Sequence, residues 1–196
     1  MIKSGTDWKA FLKGNKEQFD FAIVDPPWKY DDRHPALDEQ LDYELWLNNS
    51  TELDHLLANI NSRYIFLWTT NSMVEEAVLA ISRNPIWKYK TLITWVKTTK
   101  NGKIHYGLGN NFRGSTEQMI LIVRENEKPL RLKERNVFMG RPRSKTGKSR
   151  GWESKIVNTL MEKGLTKGLY LFSGKEDLDV FEKFDLTCVD IELRKK

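Results

Sequence analysis

Cysteine is almost missing from this chain. Among 196 residues there is one, Cys188, so no disulfide can close within it. Histidine is scarce as well: His34, His55 and His105, taken with the single thiol, do not fall at the spacing of a zinc ligand set. No metal site is therefore expected. Long apolar runs are lacking, since nothing approaches the ~20 residues that a membrane-spanning helix needs. The opening Met1-Ile2-Lys3-Ser4-Gly5 has no apolar signal core. No repeat period and no low-complexity tract interrupts the pattern. The expectation is a soluble protein of a reducing compartment, the cytoplasm, with no membrane partner.

What is present suits a packed globule. Hydrophobic residues make up 39% and aromatics 11% of the chain. The length is that of one compact domain, and no linker divides residues 1–196. The net charge of +5 leans towards a polyanionic partner.

Phe19 to Val24 is a short apolar run that breaks at once into Asp-Pro-Pro, the signature of a buried strand running into a loop. Arg63 to Thr70 reads the same way. Between them Leu53, Leu56, Leu57 and Ile60 fall on one helical face. A further helix is expected through Val74, Val78 and Ile81, capped by Asn71 or Ser72. Strands are expected over Tyr89 to Lys97, Glu117 to Arg124, Gly168 to Phe172 and Leu186 to Leu193. Helices are expected over Ile156 to Lys163 and Asp177 to Phe184. Alternating strands and helices predict an α/β fold: a mostly parallel sheet with helices on both faces and ligands at the carboxyl ends of the strands.

The segment richest in chemistry is Asp25-Pro26-Pro27-Trp28. An ordinary strand exit could use the same residue types, because proline stops strands and aspartate favours turns. The combination also suits an aromatic amine as substrate. Such a nitrogen is a poor nucleophile because its lone pair is delocalised into the ring. Two acceptors, the Asp25 carboxylate and the Pro26 carbonyl, can hold its two hydrogens as a methyl group arrives. Consecutive prolines restrict the backbone and fix the direction of that carbonyl. The arrangement preorganises stabilisation of the developing charge. Pro27 and Trp28 would frame the base, with the indole offering a stacking face.

The tetrad resembles the signature of the adenine-N6 methyltransferases that include the eukaryotic messenger-RNA adenosine-N6 methyltransferase and its compact bacterial and phage relatives. Gly107-Leu-Gly109-Asn-Asn-Phe-Arg113-Gly-Ser-Thr-Glu117 is similar to that family's glycine loop leading to a glutamate, and Thr94-Trp95-Val96-Lys97 to its Trp-x-Lys strand end. Gly168-Leu-Tyr-Leu-Phe172-Ser173-Gly174 resembles the cofactor turn, and Asp190 stands where such enzymes contact a ribose. The chain departs from the pattern at Gly174-Lys175-Glu176-Asp177, and at Gly151-Trp152-Glu153, where the family has a Lys-Pro pair.

The resemblance implies a Rossmann-like S-adenosylmethionine-dependent fold of permuted motif order, with the catalytic loop first and the cofactor turn last. It implies that Asp25, Pro26, Pro27 and Trp28 are catalytic. Asp7, Trp8, Asp25, Glu117, Phe172, Ser173, Gly174 and Asp190 would meet the cofactor. Because the chain ends soon after Asp190, any further strand is expected to come from the N-terminal segment or to be missing. The implied reaction is methylation of adenine N6 in DNA. RNA adenosine is the alternative, an inactive nucleic-acid-binding partner subunit is another, and cytosine-N4 chemistry a weaker one. A homodimer or a heterodimer is compatible with the resemblance.

Arg131 to Arg150 is the basic stretch, with Arg131, Lys133, Arg135, Arg141, Arg143, Lys145, Lys148 and Arg150 opposed only by Glu134. Gly140, Pro142 and Gly147 mark it as a loop, either merely solvated or in contact with phosphates. Phosphate contact is favoured, and Tyr30, Arg113, Arg141, Arg143, Lys145, Lys148 and Arg150 are the expected nucleic-acid contacts. Lys145-Thr-Gly147-Lys148-Ser149 is not a triphosphate loop, because position 142, where the motif needs glycine, is proline. Tyr30 to His34 are expected to form a loop over the base. His105 and Tyr106 precede the glycine loop, and the sequence leaves their role open. Trp46, Trp68, Trp87 and Trp95 read as core.

Overall fold

A computed structural model of the chain describes residues 2–3, 7–30, 45–107, 111–142, 151–172 and 183–189. Eight strands form one sheet: β1 (Ile2–Lys3), β2 (Phe19–Val24), β3 (Ser62–Thr69), β4 (Trp87–Lys97), β5 (Thr116–Arg124), β6 (Val137–Gly140), β7 (Gly168–Leu171) and β8 (Thr187–Val189). Their order is β1-β8-β7-β2-β3-β5-β4-β6. Strand β5 runs antiparallel to β3 and β4, and every other pairing is parallel. This is the expected mostly parallel sheet with helices on both faces. The further strand does come from the N-terminal segment, as Ile2 pairs with Cys188 and Lys3 with Val189.

Four helices are described: α1 (Trp8–Gly14), α2 (Asn49–Asn59), α3 (Val74–Arg83) and α4 (Trp152–Glu162). Strand side chains alternate faces, and the core divides accordingly. Ala22, Val24, Ile65 and Leu67 pack with Phe11, Leu53, Leu56, Leu57 and Ile81 from the first three helices. Phe21, Ile23, Phe66 and Trp68 pack on the opposite face with Ile156, Val157 and Leu160 of α4. Strand β2 is apolar throughout because both of its faces are covered. Gly168 opens β7 where no side chain fits: a Cβ there would lie 2.6 Å from Phe21 Cζ and 2.5 Å from Leu186 Cδ2.

Two sequence expectations change. Val137–Gly140, inside the expected basic loop, is a strand that pairs in parallel with Thr94–Lys97, so its backbone polar groups join the sheet ladder. Neither Asn71 nor Ser72 caps α3. Asn71 opens a 3-10 turn (Asn71–Met73), and its side chain donates to Thr116 Oγ1 at 2.9 Å and accepts from Gln118 Nε2 at 2.9 Å. The amide is spent on fastening the end of β3 to the start of β5. Most of the expected helix Asp177 to Phe184 lies outside the described residues, as does the end of the last strand.

Candidate active site

Parallel strands bring their carboxyl ends to one edge of the sheet, and β2, β7, β3 and β8 all end there. The antiparallel register Thr69↔Gln118 puts the start of β5 at the same edge, and Trp95↔Glu117 adds the end of β4. Asp25, Trp28, Phe172, Glu117 and Arg113 are thereby gathered along one rim.

The Asp25-Pro26-Pro27-Trp28 loop leaves the central strand under tight control. Asp25 N donates to Leu171 O at 3.2 Å, tying the loop to the end of β7. Trp28 N donates to Pro26 O at 2.9 Å, an i→i+2 bond closing a turn about Pro27. Trp46 N donates to Pro27 O at 2.9 Å. Asn49 clasps the next residue, accepting from Lys29 N at 2.9 Å and donating to Lys29 O at 2.7 Å. The Pro26 carbonyl has a fixed direction, as the paired prolines predict, and a carbonyl oxygen keeps a second lone pair beyond the one used.

Trp28 departs from expectation. Its side chain is 4% exposed, its Nε1 donates to Trp68 O at 3.1 Å, and Trp46 packs edge-on with ring centroids 5.4 Å apart. The indole is anchored inward by that hydrogen bond, so it braces the loop from below and does not present a free stacking face. Tyr30, expected at the nucleic acid, is partly buried against the same core cluster.

Trp8 does converge with Phe172. Their rings meet edge-to-face at 5.4 Å, and Trp46 lies 5.7 Å from Phe172 and 6.1 Å from Trp8. His55 of α2 joins at 5.7 Å from Trp8. Sequence reading did not single out His55, because a lone histidine on a helix carries no motif. It left Trp46 among the core tryptophans for the same reason. Both hold a buried nitrogen without a hydrogen-bond partner among the described residues, Trp46 Nε1 and His55 Nε2. Phe172 itself stands at φ 64°, a left-handed conformation that costs a bulky residue ~1–3 kcal/mol. Among the described residues the other two non-glycine positions at positive φ are Asn126 and Asp185, types that adopt it readily.

Other expected residues have local duties. Asp7 caps α1, its carboxylate accepting from Lys9 N at 2.9 Å. Glu117 forms an ion pair with Lys97, Nζ to Oε1 at 2.5 Å, on adjacent strands of the same rim. Lys97 belongs to the Trp-x-Lys strand end, and that was the signal by which it could have been found. Arg113 lies exposed against Tyr106. Arg141 is exposed just past β6. Ser173, Gly174, Asp190, Arg143, Lys145, Lys148 and Arg150 lie outside the described residues, as do Asp31 to His34. Among the described residues no group of His, Cys, Asp and Glu is placed to hold a metal ion. No helix among them is long and apolar enough to cross a membrane.

Three shifted groups lie at the opposite edge. The hydrogen bond to Glu127 raises Arg63, while burial raises Tyr64 and lowers Arg124.

Comparison with known proteins fits this geometry. The MT-A70 family profile matches residues 19–171, from the first residue of β2 to the last of β7. The M1.HpyAVI–SAM complex superposes with a TM-score of 0.61 at 16% identity, covering 100% of this chain and 95% of that one. A second M1.HpyAVI structure gives 0.64 at 12% identity, covering 100% and 93%. No curated protein matches the sequence significantly. S-adenosylmethionine, the methyl donor of the family, suits the rim by its chemistry. Half-buried Trp8 would offer its ring to the adenine, and the buried nitrogens Trp46 Nε1 and His55 Nε2, which no described residue answers, would take its polar edges or its ribose. A tetrad on the central strand, an aromatic wall beside it and a profile spanning most of the chain lead to one assignment: the chain belongs to the MT-A70 family of S-adenosylmethionine-dependent methyltransferases.

Proposed function

We propose that the chain methylates the exocyclic N6 amine of adenine in DNA. The observation that carries this reading is the placement of the tetrad. Asp25-Pro26-Pro27-Trp28 sits at the carboxyl end of the central strand, with its carbonyls fixed by Trp28 N and Trp46 N at 2.9 Å each. S-adenosylmethionine supplies an electrophilic methyl group on a sulfonium. The protein's part is to hold the amine in line with it. Asp25 Oδ accepts one N–H and Pro26 O the other, which favours the pyramidal nitrogen that attacks. As the N–C bond forms and the S–C bond breaks, the nitrogen sheds one proton on the side of the Asp25 carboxylate. Neither acceptor needs to move, so the stabilisation is preorganised. Trp28 holds the loop rigid from beneath through Trp68 O.

The target base must leave any duplex stack to reach this loop. Basic side chains of the 131–150 segment, with Arg113, would contact phosphates and give affinity without choosing sequence. DNA is preferred because the chain resembles the compact bacterial and phage members, and the cytoplasm is the compartment in which it would act.

The test is incubation with labelled S-adenosylmethionine and adenine-containing DNA or RNA, followed by digestion and identification of the nucleoside. N6-methyladenine formed in DNA, and lost in Asp25→Ala, supports the proposal. A better yield in RNA moves the substrate to RNA adenosine. N4-methylcytosine moves the target base. A folded protein that binds no donor is the inactive partner subunit.

A further inference from the structure

The connection between β4 and β5 is a second feature of the carboxyl rim. It is built as a projecting arm. Thr98 bridges to Ile104, Thr99 N donates to Lys103 O at 2.8 Å, and His105 N donates to Lys97 O at 2.8 Å. On the return side Ser115 Oγ donates to His105 O at 2.7 Å, and Lys97 N donates to Ser115 O at 2.8 Å. Thr98 N and Trp95 Nε1 both donate to Gly140 O, at 3.0 and 2.8 Å, so the base of the arm is locked to β6 as well. Gly107 is pressed against the returning strand, where a Cβ would lie 2.2 Å from Gly114 O.

On this fixed neck the large side chains point outward. Phe112 is 90% exposed and Tyr106 77%. Arg113 lies over the Tyr106 ring at 5.2 Å from its centroid, and its Nε donates to the Tyr106 hydroxyl at 3.2 Å. Packing does not explain exposed aromatics on a hydrogen-bonded neck, since exposing them forfeits their burial. Charge indicates what covers them. From Thr98 to Thr116 the chain carries Lys100, Lys103 and Arg113 and no aspartate or glutamate. An arm with three cations, no acid and two of its three described exposed large apolar side chains aromatic, Ile104 being the third, fits unpaired bases on a phosphate backbone.

We infer that Tyr106, Phe112 and Arg113 form a stacking platform for unpaired bases flanking the target adenine, so that the enzyme takes a single strand or a locally opened one. The inference rests on the reading that the substrate is a nucleic acid and adds its strand state. The geometry is compatible: β5, which receives the arm, lies two strands from β2, about 10 Å at the usual strand spacing. In a duplex every base face is already covered by its neighbours, so only an unstacked strand offers the platform a surface.

The experiment measures binding of a fluorescent single-stranded DNA, the matching RNA and the corresponding duplexes to the full chain by anisotropy. The proteins are wild type, Phe112→Ala, Tyr106→Ala and Phe112→Trp, and donor binding by calorimetry checks that each is folded. Loss of one stacked base should weaken single-strand binding about five- to a hundredfold in Phe112→Ala. Phe112→Trp should restore it, and duplex affinity should change less than about twofold. An abasic site beside the adenine should cost the wild type as much as the substitution does, and cost the variant nothing more. Equal losses on single strands and duplexes, or no loss, overturn the inference. So does a change in self-association by sedimentation velocity with strand binding unaltered, which would make the arm a protein interface. If the wild type methylates adenine but ignores Phe112, this inference fails and the proposed function stands. If it binds single strands through Phe112 yet methylates no adenine, the reverse holds.

Discussion

The two edges of the sheet are built from similar residues and treat them differently. At the amino edge Asp20 accepts from Arg63 Nη1 at 3.2 Å, Thr166 N at 2.9 Å and Lys167 N at 3.0 Å. Arg63 also reaches Glu127 at 3.1 Å, and Arg124 donates to Ser62 O at 2.8 Å and Ile60 O at 3.3 Å. Charged groups there are answered by the protein, and the shifted pKa values of Arg63 and Arg124 report that closure. At the carboxyl edge Trp46 Nε1 and His55 Nε2 are buried and unanswered, Phe172 is held in a left-handed conformation, and Tyr106 and Phe112 face solvent. Unsatisfied polarity and backbone strain collect at the carboxyl edge, and these are costs that a bound ligand would offset.

Substitution can break that contrast, and the largest effect is expected at Asp25. Asp25→Ala should lower kcat by ~10²–10³ or more while the protein melts normally, as expected when a preorganised acceptor is lost. Single-turnover assays and thermal denaturation together check this, and a matching collapse of Tm would recast Asp25 as structural. Asp20→Ala should do the opposite, costing ~2–3 kcal/mol of stability, because two backbone donors and Arg63 lose an acceptor. Its kcat should remain that of the wild type. For a chain of this size that loss is a Tm drop of roughly 5–10 °C, read by calorimetry.

Gly168→Ala should cost ~1–3 kcal/mol, since Phe21 and Leu186 must shift to admit a methyl group. Urea unfolding would reveal it, and an unchanged midpoint would show that those side chains yield freely. The smallest effect, and the sharpest test of the open edge, is Trp46→Phe. Free-state stability should change by less than ~1 kcal/mol, because the lost N–H has no partner to leave behind. Donor affinity should fall about fivefold if that N–H is answered only by the ligand. Titration calorimetry measures this, and unaltered affinity would remove Trp46 from the donor site.

Much of the site was legible from residues alone because its logic is local. Two prolines after an apolar strand restrict the carbonyl between them, and Pro26 O indeed accepts from Trp28 N in a closed turn. The inward turn of Trp28 was not legible, because an indole at the end of such a loop can face solvent or core. The choice was made by Trp68, 40 residues away, whose carbonyl takes the indole N–H. Strand β6 was hidden among arginines and lysines because an edge strand buries little, so its apolar pattern is weak.

The sequence by itself determined the alternation of strand and helix, the two-sided burial of β2 and the fixed turn at Asp25 to Trp28. Each follows from periodicity or backbone restriction within a few residues. Tertiary structure alone decided that His55 and Trp46 meet Trp8 and Phe172, that Lys97 pairs with Glu117, and that the β4–β5 arm shares a rim with the tetrad. Those juxtapositions depend on strand order and register, and sheet pairing sets these between segments far apart in the chain.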